Sequence, residues 1–107
     1  MEQISSVQLK AWLDDATSPQ PLLLDVREPW EFSTCHIKGA VSIPMNSIPS
    51  RQQELDSETP TVVICHHGMR SMQVAMYLQQ QGFGKLYNLG GGVAAWAAQV
   101  DPAMPTY

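Results

Sequence analysis

The chain has 107 residues, room for one compact domain and too little for two ordinary ones, and its 44% hydrophobic and 15% charged residues suffice to bury a core. Six basic against ten acidic side chains leave a formal charge of -4 with no gathered Lys or Arg. That argues against nucleic acid and membrane surfaces as partners, because both need clustered positive charge, while a small anionic substrate remains open to a locally positive site. The first six residues lack the basic flank and apolar run of a secretory leader, and no stretch approaches the roughly 18 apolar residues of a membrane span, so a cytoplasmic protein is expected. Two cysteines, Cys35 and Cys65, are too few for a disulfide scaffold and suit a reducing compartment.

In chain order, Ser5 precedes Gln8 by the three places of a capping box, and Val7, Leu9, Ala11, Trp12 and Leu13 then suit a helix ending near Asp14 to Thr17. Ser18-Pro19-Gln20-Pro21 breaks the pattern, and Leu22–Val26 reads as a buried strand. Pro29 can open a short helical turn through Phe32, since its fixed φ suits a first helical position. Gly39–Pro44 reads as a second short strand, and Asn46–Leu55 as a helix followed by the polar loop Asp56–Pro60.

Thr61-Val62-Val63-Ile64-Cys65 is the clearest strand, β-branched almost throughout and expected in the middle of a sheet. Gly68 interrupts the loop after it, and Ser71 is expected to cap a helix carrying Met72, Val74, Ala75, Met76 and Leu78 and ending before Gly82. Lys85–Leu89 makes a last strand, followed by Gly90-Gly91-Gly92, a helix over Val93–Val100 stopped by Pro102, and an irregular tail. Strands alternating with helices over the whole length imply an α/β fold of three layers, with a parallel sheet covered on both faces.

In such sheets ligands sit at the carboxyl ends of the strands, where Cys65 is placed. The segment Cys65-His66-His67-Gly68-Met69-Arg70-Ser71 can curl so that backbone N–H groups converge above the sulfur as an anion-binding nest at a helix start. Such dipoles, with Arg70 and a charged histidine, favour thiolate over thiol and would make Cys65 a nucleophile.

These residues resemble those of the rhodanese homology family over about Leu23 to Trp96. Asp25-Val26-Arg27-Glu28-Pro29-Trp30-Glu31-Phe32 is similar to the family's first signature, and His36-Ile37-Lys38-Gly39-Ala40 with Ile43-Pro44 continues it. Cys65–Ser71 resembles the active loop, and Gly90-Gly91-Gly92-Val93-Ala94-Ala95-Trp96 the closing signature. The resemblance implies one rhodanese-like domain with a central parallel sheet of about five strands, a persulfide on catalytic Cys65, and substrate held by loop amides of His66, His67, Gly68, Met69 and Arg70. It implies sulfur transfer from thiosulfate or a similar small anionic donor to cyanide or a thiol, with thioredoxin among the candidate acceptors. His66, His67 and Arg70 would partly neutralise the donor. Cys35 stands where the family more often has glycine, so the turn there is expected to have adjusted if that position calls for positive φ.

Other readings of the same residues are weaker. Three consecutive residues, Cys65, His66 and His67, seldom converge on one metal ion, so no metal is expected. Asp25, Arg27 and Glu31 suit a structural ion pair and loop hydrogen bonds better than catalysis, and His36 a packed turn. The three glycines lack a phosphate-loop fingerprint and read as close backbone approach to the active loop. Trp12, Trp96 and the methionines fill core or grooves, and nothing signals a cofactor. Cysteine-type phosphatases place five residues between Cys and Arg, against four here, and a shorter ring of amides suits a single sulfur atom. A docking module without chemistry has little use for Cys65 in an intact loop.

Overall fold

The computed structural model describes all 107 residues. In chain order the elements are β1 (Glu2–Ile4), α1 (Ser6–Asp14), β2 (Leu22–Asp25), α2 (Pro29–Thr34), β3 (Val41–Ser42), α3 (Ile48–Arg51), β4 (Thr61–Ile64), α4 (Met69–Gln80), β5 (Leu86–Leu89) and α5 (Gly92–Gln99). The five strands form one wholly parallel sheet in the order β1-β5-β4-β2-β3.

Strand periodicity sorts the core into two layers, because successive side chains of a strand face opposite ways. Leu23, Val62, Ile64 and Leu89 pack on one face with Leu9 of α1 and Val93, Trp96 and Ala97 of α5. Leu24, Val26, Val63 and Cys65 pack on the other with Ile48 of α3 and Val74, Ala75 and Leu78 of α4. With helices on both sides, every residue of β4 is buried, so its sequence is an unbroken apolar and β-branched run. Each fully buried Leu, Ile or Val of these layers contributes about 2 kcal/mol of burial.

Local chemistry sets several element ends. The Ser5 hydroxyl accepts from the Gln8 amide at 3.1 Å while the Gln8 side chain accepts from the Ser5 amide at 2.9 Å, closing the capping box of α1. Such a cap is worth about 1 kcal/mol. Pro29 opens α2 as its first residue.

Four expectations from the sequence are corrected. β1 was not anticipated: its three residues are too few and too polar for a strand pattern, and pairing with β5 makes them one. The helix expected over Asn46–Leu55 is one α-helical turn between 3-10 turns at Met45–Ser47 and Gln52–Glu54, since Ile48 is the one fully buried side chain of this stretch and a single anchor gives little apolar face to extend a regular helix. The strand expected over Gly39–Pro44 shortens to Val41–Ser42, because Gly39 turns with φ +88° and Pro44 has no N–H. Finally, α4 is capped by Gly68 at φ +106°, and Ser71 lies buried inside its first turn.

Candidate active site

Register brings the site together. Asp25 of β2 lies beside Ile64 of β4, so Arg27 and Cys65, just past the strand ends, emerge at the same carboxyl edge of the sheet. Cys65 is only 1% exposed. Its Sγ accepts from the Gly68 amide at 3.0 Å and lies 3.3 Å from the Ser71 hydroxyl.

The directions of the loop amides follow from the carbonyls on the same peptide planes, since N–H and C=O of a trans peptide point opposite ways. The Cys65 carbonyl accepts from the Val93 amide at 2.9 Å and the His66 carbonyl from the Ala94 amide at 3.1 Å, both at the start of α5. The N–H groups of His66 and His67 therefore face away from α5. The Gly68 carbonyl is held by the Asn88 side chain at 3.1 Å and by the Met72 amide, which turns the Met69 N–H the other way. The amides of His66, His67, Met69, Arg70 and Ser71 donate to no acceptor in the protein. Unpaired donors on consecutive residues at a helix start are an anion-binding arrangement, because each is an orphan that a negative ligand satisfies.

The triple glycine allows this contact. Gly92 has φ +58°, and a Cβ there would collide with the backbone of Cys65 and His66, so only glycine lets α5 reach the loop.

Beneath the sulfur runs a buried polar chain. Ser71 donates to Asn88 Oδ1, and Asn88 Nδ2 donates to Gln3 Oε1 at 3.0 Å as well as to Gly68. Gln3 belongs to β1, so the edge strand missed in the sequence reaches the site through one side chain. All these groups are satisfied, as buried polar groups require.

Charged side chains form two pairs. Asp25 and Arg27 are fully buried and joined at 2.7 Å, with further Arg27 donors to the carbonyls of Cys35 at 2.7 Å and Glu31 at 3.3 Å. Burial works against the Arg27 charge, but the bonds to Asp25 and Tyr107 hold it protonated. Glu31 meets Arg70 through two bonds of 2.7 and 2.9 Å. The Arg70 guanidinium holds the Glu31 carboxyl down to about 2, against the cost of burial. Tyr107, from the tail expected to be irregular, bridges the two pairs: its hydroxyl accepts from Arg27 at 2.9 Å and donates to Glu31 at 2.7 Å.

Of His66, His67 and Arg70, expected to neutralise an anion in part, His66 and Arg70 are engaged with other side chains. Burial, and next the neighbouring His67, push the His66 imidazole below its ordinary value and so favour its neutral form. Its ring is stacked between His67, at 4.1 Å, and Tyr107, at 4.2 Å. Arg70 faces Glu31, which answers most of its charge. Met69 is 77% exposed, and its amide has no acceptor in the protein.

Cys35 has extended backbone at φ -164°, and no residue other than glycine has positive φ, so the turn accommodates it without strain. Its thiol is free, like that of Cys65, and lies 3.8 Å from Arg27 Nη1 at a cavity of about 240 Å³ shared with His66, His67, Val93 and Tyr107. His36 is turned to the Phe32 carbonyl at 2.9 Å and stacked on the Phe32 ring. Tyr107 and Asn88 were not singled out from the sequence. Their partners are between 17 and 85 positions away, and no spacing rule links residues so far apart.

Comparison with known proteins agrees with the fold. The model of the rhodanese-like domain family matches residues 5–99. A protein of Allochromatium vinosum named sulfurtransferase is 39% identical over 91% of this chain and 89% of its own length. Thiosulfate sulfurtransferase GlpE of Tolumonas auensis is 32% identical over 90% of this chain and 91% of its own. The crystal structure of a rhodanese-like domain protein from Staphylococcus aureus superposes with a TM-score of 0.83 at 31% identity, covering 90% of this chain and 91% of that one.

Proposed function

We propose, from the premise that this chain belongs to the rhodanese-like domain family, that it transfers sulfane sulfur from thiosulfate or a similar small anionic donor to cyanide or a thiol through a persulfide on Cys65. The observation that carries this reading is the buried Cys65 sulfur, held by the Gly68 amide, at the head of a loop whose His66, His67, Met69, Arg70 and Ser71 amides are unpaired. Sulfurtransferase relatives support the reaction class, and the shape of the loop supports the nucleophile.

In the first half-reaction the ionised Cys65 sulfur attacks the outer sulfur of thiosulfate. A new S–S bond forms, the donor's own S–S bond breaks, and sulfite leaves with the bonding pair. In the second, cyanide or a thiolate takes the outer sulfur and the Cys65 thiolate is regenerated. The loop amides hold the negative charge that shifts along this line, donors already oriented before the charge arrives. Arg70 is paired to Glu31, and the backbone dipoles of the loop are the donors left without a protein partner for the anion. The Asp25–Arg27 pair serves as support: it binds the end of β2 to the carbonyls of Glu31 and Cys35, and with the Tyr107 hydroxyl these partners leave the guanidinium no free donor. Two free thiols suit a reducing compartment, and we place the protein in the cytoplasm.

The test is mass spectrometry of the purified protein before and after thiosulfate, followed by cyanide, glutathione and thioredoxin as acceptors. A gain of one sulfur, about 32 Da, that Cys65→Ser abolishes is the expected result. Wild-type protein that stays unmodified by every donor overturns the proposal.

A further inference from the structure

We infer that Tyr107 is a positioning residue of this site, whose hydroxyl tunes the charge that an anionic donor meets at the Glu31–Arg70 rim. The inference rests on the sulfur-transfer reading for its purpose, though its geometry stands apart from it.

The proton of the Tyr107 hydroxyl has one direction. Arg27 can only donate and ionised Glu31 can only accept, so the oxygen takes a bond from Arg27 Nη1 at 2.9 Å and the O–H points to Glu31 Oε2 at 2.7 Å. The same carboxylate accepts two bonds from Arg70 and one from the Glu28 amide. Each donor aimed at Glu31 offsets part of its negative field, and what Tyr107 offsets need not be offset by Arg70. With the hydroxyl present, Arg70 keeps more positive potential toward the loop that begins at Cys65. Burial pushes the Tyr107 phenol up to about 12, so it remains a neutral donor over the whole working range of a thiol enzyme.

The ring is fixed separately from the hydroxyl. It stacks on His66, the residue after Cys65, with centroids 4.2 Å apart and planes 22° apart, and meets Trp30 edge-on at 5.3 Å. A phenylalanine keeps these contacts and removes only the polar bridge. Losing the bridge strips Glu31 of a donor, makes the rim more negative and slows anions more than neutral molecules.

The experiment compares alkylation of Cys65 by iodoacetamide, which is neutral, and iodoacetate, which is an anion, in wild type and Tyr107→Phe, read by peptide mapping. The iodoacetate rate is expected to fall about threefold relative to iodoacetamide. With thiosulfate, KM rises by a similar factor while kcat changes little. Glu31→Gln, which removes the charge that the tyrosine offsets, moves the reagent ratio the other way and provides the reading should Tyr107→Phe fail to fold. Equal changes for the two reagents, no change, or a Glu31→Gln ratio that does not rise overturns the inference. Should wild type take no sulfur from thiosulfate, the functional reading fails while the reagent ratio still judges Tyr107.

Discussion

Gly92 lies so close to the carbonyl of Cys65 that no Cβ fits between them. The contact lets Val93 and Ala94 bond to the carbonyls of Cys65 and His66, and those bonds turn the amides of His66 and His67 away from α5. Gly92→Ala has to push α5 off the loop and also strains φ +58°. We expect a loss of about 2–4 kcal/mol, a drop in Tm of roughly 10–20 °C, and at least tenfold slower sulfur loading. Gly84→Ala, where a Cβ meets nothing within 4 Å, is the control and should change stability by less than about 0.5 kcal/mol. Equal Tm values for the two variants by calorimetry would contradict the account.

Glu31 links stability to pH. Its folded value is lowered from 4.5 to about 2 by Arg70, so the native state binds this proton less readily than the unfolded chain. The contribution is complete above about pH 4.5 and is lost as pH falls through about 2. Wild type should exceed Glu31→Gln by ~2 kcal/mol at pH 6, after allowance for the partly exposed Arg70, and the gap should close toward pH 2. Urea unfolding at several pH values measures it; a gap independent of pH would sink the assignment.

Asn88 holds the floor of the site by using both ends of its amide. Asn88→Asp keeps the shape but replaces the donor that faces Gln3 Oε1 and the Gly68 carbonyl with an acceptor. Buried acceptors left facing one another should cost about 3 kcal/mol and loosen the Gly68 turn, slowing sulfur loading. Ser71→Ala removes one bond from the same chain and should cost about 1–2 kcal/mol. Thermal melts together with loading rates test the order; an Asp variant as stable as wild type refutes it.

Much of the fold was legible because it rests on local rules. Leu22–Val26 and Thr61–Cys65 announce buried strands through unbroken apolar runs, and Ser5 with Gln8 announces the start of α1 through a fixed spacing. The motif residues placed Cys65 at a strand end before a loop of suitable length, and the family matches agree with the resemblance they carry. β1 was hidden, since Glu2–Ile4 has no pattern of its own and becomes a strand only beside β5.

The amino-acid order by itself determined the alternation of strands and helices, the parallel sheet and the place of Cys65 at the end of a central strand, because these depend on periodicity and on neighbours within a few positions. Only the tertiary structure decided that Arg70 is engaged by Glu31, that His66 is stacked between His67 and Tyr107, that Ser71 lies under the sulfur instead of capping a helix, and that Tyr107 joins two ion pairs. Charge and hydrogen-bond partners are set by distance in space, and the chain brings Glu31 to Arg70 and Arg27 to Tyr107 only once the sheet has closed its register and both faces are covered.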